Sequence, residues 1–401
     1  AALLPLLVLK YSGMLVPGLR DLYKPFGLAY YSLQLAGYLL DVWHGRTAPT
    51  PSYARLWCYA GFFLSLTQGP FNRYNTLMPQ LEAAPKTFET QRLVSGLQRS
   101  AWGYFKKFAI ADRAAIVVSA AFADPASFDR SQLIFATVMY SFQLYADFSG
   151  YTDIVLGMGE ILGLHLPENF RQPFFSASVK ELWARWHISL SQWFRDYVYI
   201  PLGGNRVSVL RWCFNMFVVW LLSGLWHGAG WNFALWGLYF GVFLSAEKLI
   251  GKKWKERSFK IADISANNDS NGGDRENMFL TCVRNIIEHG YVLLVVLFSF
   301  VIFRVEGVRE IKEQFLGLSG CYGNAMTPMA AYEIKSCLIL LLIACAGATP
   351  FPAMWVQRLK NASMWKKSGW LLQSCYILTG LVLATAFLLG SSVHPFLYFR
   401  F

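Results

Sequence analysis

WCFNMFVVWLLSGLWHGAGWNFALWGLYFGVFLSAEKLI, residues 212–250, is two apolar blocks joined at a histidine and three small residues, His227-Gly228-Ala229-Gly230. A helix crossing a hydrocarbon core of ~30 Å needs about 20 residues, and lipid leaves no water to satisfy an open backbone. The blocks therefore read as a membrane hairpin. Arg206 and Arg211 precede the first block, and Lys252, Lys253, Lys255, Arg257 and Lys260 follow the second. Cytoplasmic flanks are enriched in Lys and Arg, so both ends are expected inside. Fifteen residues from Trp212 to Trp226 rise only ~22 Å, which places His227 within the membrane.

Further apolar blocks lie at 1–9, 26–43, 53–68, 100–123, 132–163, 278–303, 332–348 and 369–391. With the hairpin they make roughly ten segments, so the expected fold is all-α and polytopic, one membrane-embedded domain over residues 1–401. Of the 401 residues, 55% are hydrophobic and 15% charged, against about 25% charged in soluble domains. The net charge of +12 sits in short connections beside apolar blocks. It forms no basic face with interleaved aromatics, so membrane lipid and not nucleic acid is the expected partner. Seven scattered cysteines without CxxC spacing indicate neither a disulfide framework nor a metal site. No internal repeat is visible, which weighs against an inverted-repeat transporter.

Two stretches depart from the apolar pattern. Residues 174–211 are aromatic and amphipathic, as in an interfacial or re-entrant element. Residues 252–277, with NNDSNGGD, are too polar to bury a core and read as a flexible cytoplasmic loop. The chain opens AALLPLLVLKYSG, without Met, a basic n-region or a cleavage site. It resembles the tail of a span, so native N-terminal spans are expected upstream.

Ionisable groups inside membranes are costly and mark functional sites, although polar side chains also serve as glue between helices. For His227 the neighbours favour function: Gly224, Gly228, Ala229 and Gly230 leave room for a substrate chain or another backbone, and Trp226 and Trp231 supply rigid walls. Burial would keep the ring neutral, able to take a proton. A second histidine, His187, lies in KELWARWHISLSQWFRDYVYIPLGGNR. Glu181 and Arg185 pair there at i, i+4, and an interfacial helix explains the charges but not a histidine. In YADFSGYTD, Asp147 and Asp153 stand about 240° apart around a helix, which does not support a paired-carboxylate site. Each reads as a bond between helices or, less favoured, as tunnel lining. QGPFNRY, residues 68–74, reads as a broken helix or re-entrant turn lining a cavity. His44, His165, His289 and His394 look interfacial or loop-borne. GxSxG, HExxH and GxxxxGK[ST] signatures are absent.

The two histidine segments, with QGPFNRY and MPQL, FKKFAIADR, YADFSGYTDI and ENFRQPF in that order, resemble the membrane-bound O-acyltransferase superfamily. They are most similar to its bacterial branch that includes the alginate O-acetylation membrane protein, with the D-alanyl transfer protein of teichoic acid modification as nearest cousin. The resemblance implies helices around a central tunnel, His227 as the catalytic residue and His187 as its companion. It also implies a donor side in the cytoplasm and an acceptor side outside. Arg185, Trp186, Trp226, Gly228, Asp147 and Asp153 then become candidates for the tunnel.

The expected reaction is transfer of a short acyl group, acetyl before others, from a cytoplasmic thioester toward hydroxyls of a cell-surface polysaccharide, in a bacterial cytoplasmic membrane. Acetyl-CoA or an acyl carrier protein would be the donor substrate, with no bound cofactor and no metal. An extracytoplasmic partner of the SGNH-hydrolase type is implied. The rivals are D-alanyl transfer from a carrier protein, a transporter or channel, and a scaffold that only recruits an extracellular transferase.

Overall fold

Apolar blocks punctuated by Gly, Pro and Ser fold as seventeen helices in the computed structural model, which describes residues 3–16, 25–83, 89–266, 273–323, 326–360 and 363–389. In chain order these are α1 (Leu4–Leu15), α2 (Leu28–Trp43), α3 (Tyr53–Ala60), α4 (Tyr74–Glu82), α5 (Thr90–Phe105), α6 (Asp112–Ala123) and α7 (Arg130–Ile161). Then come α8 (Val179–Arg185), α9 (Ile188–Phe194), α10 (Val209–His227), α11 (Trp231–Ala266) and α12 (Gly273–Arg304). The last are α13 (Val308–Ser319), α14 (Pro328–Ser336), α15 (Leu338–Gly347), α16 (Phe351–Lys360) and α17 (Ser363–Leu389). Among the described residues, extended pairing is limited to one antiparallel bridge between Phe170 and Trp186.

The central helix is α7. It starts at a capping box, where Asp129 accepts from the Gln132 N–H at 3.0 Å and Gln132 accepts from the Asp129 N–H at 3.1 Å. Two glycine pairs, each seven residues apart, let α5 lie directly on it. A Cβ on Gly103 would stand 2.4 Å from the Gly150 carbonyl, and one on Gly157 would stand 2.4 Å from the Gly96 carbonyl. Small residues at such crossings allow backbones to approach in place of a hydrophobic driving force. Residues Lys106–Ala111 then form a π-helical turn that leads into α6. The α10–α11 hairpin closes in the same way, the Gly224 position meeting the Phe233 carbonyl and the Gly237 position the Trp220 carbonyl.

Among the described residues, four helices are long and apolar enough to cross a membrane: Val209–His227, Trp231–Gly251, Leu280–Arg304 and Gly369–Leu389. The pair α14–α15, bent by 47°, makes a fifth if counted as one broken span. The expected ten segments are therefore not matched one for one. The 16 residues of α2 rise ~24 Å and the eight and nine of α3 and α4 far less, while the 32 residues of α7 carry Asp147, Asp153 and several hydroxyls.

Two further expectations change. Residues 252–266 and 273–277 are helical, continuing α11 and opening α12, and 267–272 lie outside the described residues. Lys, Glu and Arg are good helix formers, so a span can continue as helix through this sequence. In addition, α10 begins at Val209, where Ser208 accepts from the Arg211 N–H. Its 19 residues rise ~28 Å, so a short helix no longer places His227 at depth. Surrounding protein encloses it instead.

Candidate active site

His227 is the last residue of α10 and is 4% exposed. Its imidazole meets the edges of three rings, with centroids at 4.9 Å from Trp226, 5.1 Å from Trp236 and 5.4 Å from Phe303. The glycines beside it are occupied by protein. The Gly224 position faces the backbone of α11, and a Cβ on Gly228 would lie 2.0 Å from the Phe233 ring. Gly224 thus admits the close approach of a backbone, and Gly228 that of a ring.

His187 is 1% exposed and is built differently. It stands between α8 and α9 in a left-handed conformation, φ 43° and ψ 53°, which a non-glycine residue adopts at a cost and only where its surroundings dictate it. Those surroundings come from the ENFRQPF segment. The Arg171 N–H donates to the Arg185 carbonyl at 2.9 Å and the Ile188 N–H to the Asn169 carbonyl at 3.1 Å, clamping the chain on both sides of the histidine. The Ser189 amide and hydroxyl both donate to Asn169 Oδ1, at 3.1 and 2.7 Å. Among the described residues neither ring nitrogen of His187 has a hydrogen-bond partner, nor has Asn169 Nδ2. His187 lies outside the spanning helices, and burial holds its pKa down to about 3, so the ring is neutral and bears a single N–H.

Both histidines lie against one indole. The Trp226 centroid is 6.2 Å from His187 and 4.9 Å from His227, and its Nε1–H is tied to the Ala29 carbonyl at 3.2 Å. Tyr30 and Phe71 complete the wall, stacked 5.0 Å apart and both edge-on to Trp226. Phe71 brings in QGPFNRY, an irregular buried stretch between α3 and α4. Its Phe71 N–H donates to Ser189 Oγ at 2.9 Å, and the Tyr59 hydroxyl donates to the Asn72 carbonyl at 2.8 Å. Phe148 of α7 packs edge-on to His187 at 4.8 Å.

The remaining tunnel candidates divide. Trp186 is buried against Phe170 and Phe300, next to His187. Arg185 is partly exposed and bonds Glu181 at 2.6 Å. Asp147 and Asp153 belong to an ion-pair block between α7 and α5: Lys107 bonds Asp147 at 2.8 Å and Asp112 at 2.9 Å, Lys106 bonds Asp153 at 2.6 Å, and Arg99 joins Asp153 to Glu168. The π-helical turn makes this possible by turning two consecutive lysines toward one neighbour. His44 and His165 are exposed, and His394 lies outside the described residues.

A polar cavity of about 320 Å³ opens where Arg73 follows the buried loop, lined also by Asp41, Arg46, Asp196 and Tyr197. Arg73 bonds Asp196 at 2.9 Å and lies over the Tyr197 ring, and the Tyr197 hydroxyl donates to Asp41 at 2.6 Å. Tyr30 and Asp41 share α2, so roughly 16 Å of helix rise separates the indole from the cavity. Sequence reading missed Asn169, Ser189 and Arg73. Asn169 and Arg73 lie in the motifs ENFRQPF and QGPFNRY and Ser189 follows His187; the Phe71–Ser189 and Arg73–Asp196 contacts span more than 100 residues, whereas Asn169 meets Ser189 across 20.

A family model described as MBOAT, membrane-bound O-acyltransferase family, matches residues 24–266, a range containing both histidines. The probable alginate O-acetylase of Pseudomonas fluorescens is 34% identical over 304 residues, 75% of this chain and 55% of the relative. The peptidoglycan O-acetyltransferase of Helicobacter pylori is 33% identical over 267 residues, 60% and 51%. The teichoic acid D-alanyltransferase of Bacillus subtilis is 29% identical over 250 residues, 59% and 62%. The chain spans about half the length of the alginate-type relatives it matches.

Proposed function

The chain belongs to the membrane-bound O-acyltransferase family, and from that premise we propose that it moves a short acyl group, acetyl before others, from a cytoplasmic thioester toward hydroxyls of a cell-surface polysaccharide. The observation that carries this reading is the pair of buried imidazoles that both lie against Trp226. His227 takes the proton of the acceptor hydroxyl as general base, a role worth typically ~10² to 10⁴ in rate. The oxygen attacks the thioester carbonyl, the C–O bond forms, the C–S bond breaks, and the departing thiolate takes the proton back from the imidazolium. His187, neutral and with spare hydrogen-bonding capacity, donates its N–H to the carbonyl oxygen as negative charge develops there.

The donor, acetyl-CoA or an acyl carrier protein, is taken to reach the pair from the polar cavity at Arg73, with the basic run from Lys252 to Lys260 marking that side as cytoplasmic. An SGNH-type partner outside would pass the acetyl group to the polymer. The alginate and peptidoglycan relatives, named as O-acetyl-transferring proteins, favour acetyl over D-alanyl. The test supplies the purified full-length protein with acetyl-CoA or with a D-alanyl carrier protein, and follows thiol release and ester formation. Turnover of acetyl-CoA supports the reading. Turnover of the D-alanyl carrier alone moves the chain to the cousin reaction, and flux of solute without covalent change makes it a transporter.

A further inference from the structure

The end of α10 is satisfied from elsewhere in the chain. A helix leaves its last four carbonyls without intrahelical partners, and an unmet carbonyl away from water is costly. Here the four are Gly224, Leu225, Trp226 and His227, because Gly228 continues as extended chain. The Gly228 N–H serves Gly224 at 3.4 Å. The other three are taken by two consecutive residues of α1: the Tyr11 hydroxyl donates to the Leu225 carbonyl, and Lys10 Nζ donates to the carbonyls of Trp226 and, at 3.1 Å, of His227. Lys10 is 9% exposed and its ammonium also lies over the Trp226 ring, 5.9 Å from the centroid. A cation at a helix C-terminus is favoured by the macrodipole, and an ammonium has three donors where a neutral side chain of that reach has two.

We propose that Lys10 is a positioning residue for acyl transfer: by holding the carbonyls of Trp226 and His227 it fixes the helix end that presents the His227 imidazole. Tyr11 supports it one carbonyl earlier. This rests on the proposed role of His227 as base, and it makes the first described helix part of the site. The consequence is specific. Loss of Lys10 should loosen the reacting geometry more than donor binding, because the bonded groups sit at His227 and not at the Arg73 cavity. Misplacement of a catalytic group by an ångström lowers rate steeply.

The experiment compares Lys10→Met, Lys10→Arg and Tyr11→Phe in the full-length protein, reading thiol release from acetyl-CoA. Lys10→Met is expected to lower kcat 10- to 100-fold with KM for acetyl-CoA within twofold, Lys10→Arg to recover most of it, and Tyr11→Phe to cost about threefold. Unchanged kcat in Lys10→Met, or no recovery with Arg at equal protein level, overturns the proposal. If the wild-type protein does not turn over acetyl-CoA, the donor reading fails, and labelling decides this one separately. Carbethoxylation read by mass spectrometry should rise at least fivefold at His227 and stay unchanged at His187 in Lys10→Met. Equal labelling at His227 overturns the proposal. Should Lys10→Met not accumulate, Lys10→Ser, which is polar but too short to reach either carbonyl, is read by the same labelling with the same two outcomes.

Discussion

Two polar clusters are buried against the same helix, α7, and they are built on opposite rules. In the block toward α5 every carboxylate has a cation: Asp147 with Lys107, Asp112 with Lys107, Asp153 with Lys106 and Arg99. In the cluster around the histidines, His187 and Asn169 keep ring and amide nitrogens without partners among the described residues, and aromatic rings pack against His187. Buried charge survives only when paired, so the first cluster describes a closed structural joint. Polar atoms held in place with capacity to spare describe a place for a reacting group. The contrast supports the proposal that places the reaction at the histidines and leaves the ion pairs as scaffold.

Breaking the histidine cluster should cost activity and leave the fold intact. His227→Ala is expected to lower acyl transfer by ~10² to 10⁴, at wild-type abundance and melting temperature; wild-type transfer by a correctly inserted variant would remove His227 from the mechanism. Breaking the joint should do the reverse. Lys107→Met removes the bonded ammonium from two carboxylates that are 1% and 8% exposed, and loss of one partner from a buried pair costs ~3–5 kcal/mol. Thermal unfolding in detergent and protein yield would fall together, whereas unchanged stability would make the block dispensable. His187→Gln keeps a hydrogen-bond donor but not its geometry, and is expected to lower kcat ~10- to 100-fold, less than the His227 change. An effect on KM alone would return His187 to donor binding.

The smallest effect is read by pH. Because burial holds His187 down to about 3, below the ordinary value of about 6.5 the unfolded chain binds a proton that the folded chain does not. Stability should be level above pH 6.5 and fall as pH drops beneath it, by ~2 kcal/mol at pH 5, where His187 and its unfolded value differ by one proton over about 1.5 pH units. The slope should shrink in His187→Gln. An identical slope would assign it to other groups.

Much of this was legible in the sequence because membranes restrict the options. Apolar blocks of spanning length become helices, and a histidine inside such a block stands out; the hairpin around His227 follows from these facts and from the Lys and Arg at its two ends. The count of segments was not legible, since the blocks at 26–43 and 53–68 fold into helices of only 16 and 8 residues, and polar atoms on α7 are hidden by partners far along the chain. Nor could spacing show that Asp147 and Asp153 face lysines, because one extra residue in the turn at Lys106–Ala111 resets which side chains face inward.

By itself, then, the sequence determined that this is a helical membrane protein, that His227 ends an apolar helix, and, through its ordered motifs, the family. Only the tertiary structure decided that His187 adopts a left-handed backbone beside the indole that touches His227, and that Lys10 and Tyr11 close the helix presenting that histidine. Local pattern encodes which segments leave water. The pairing of groups more than 100 residues apart depends on how helices pack, because a hydrogen bond can be satisfied by any segment that arrives with the right geometry.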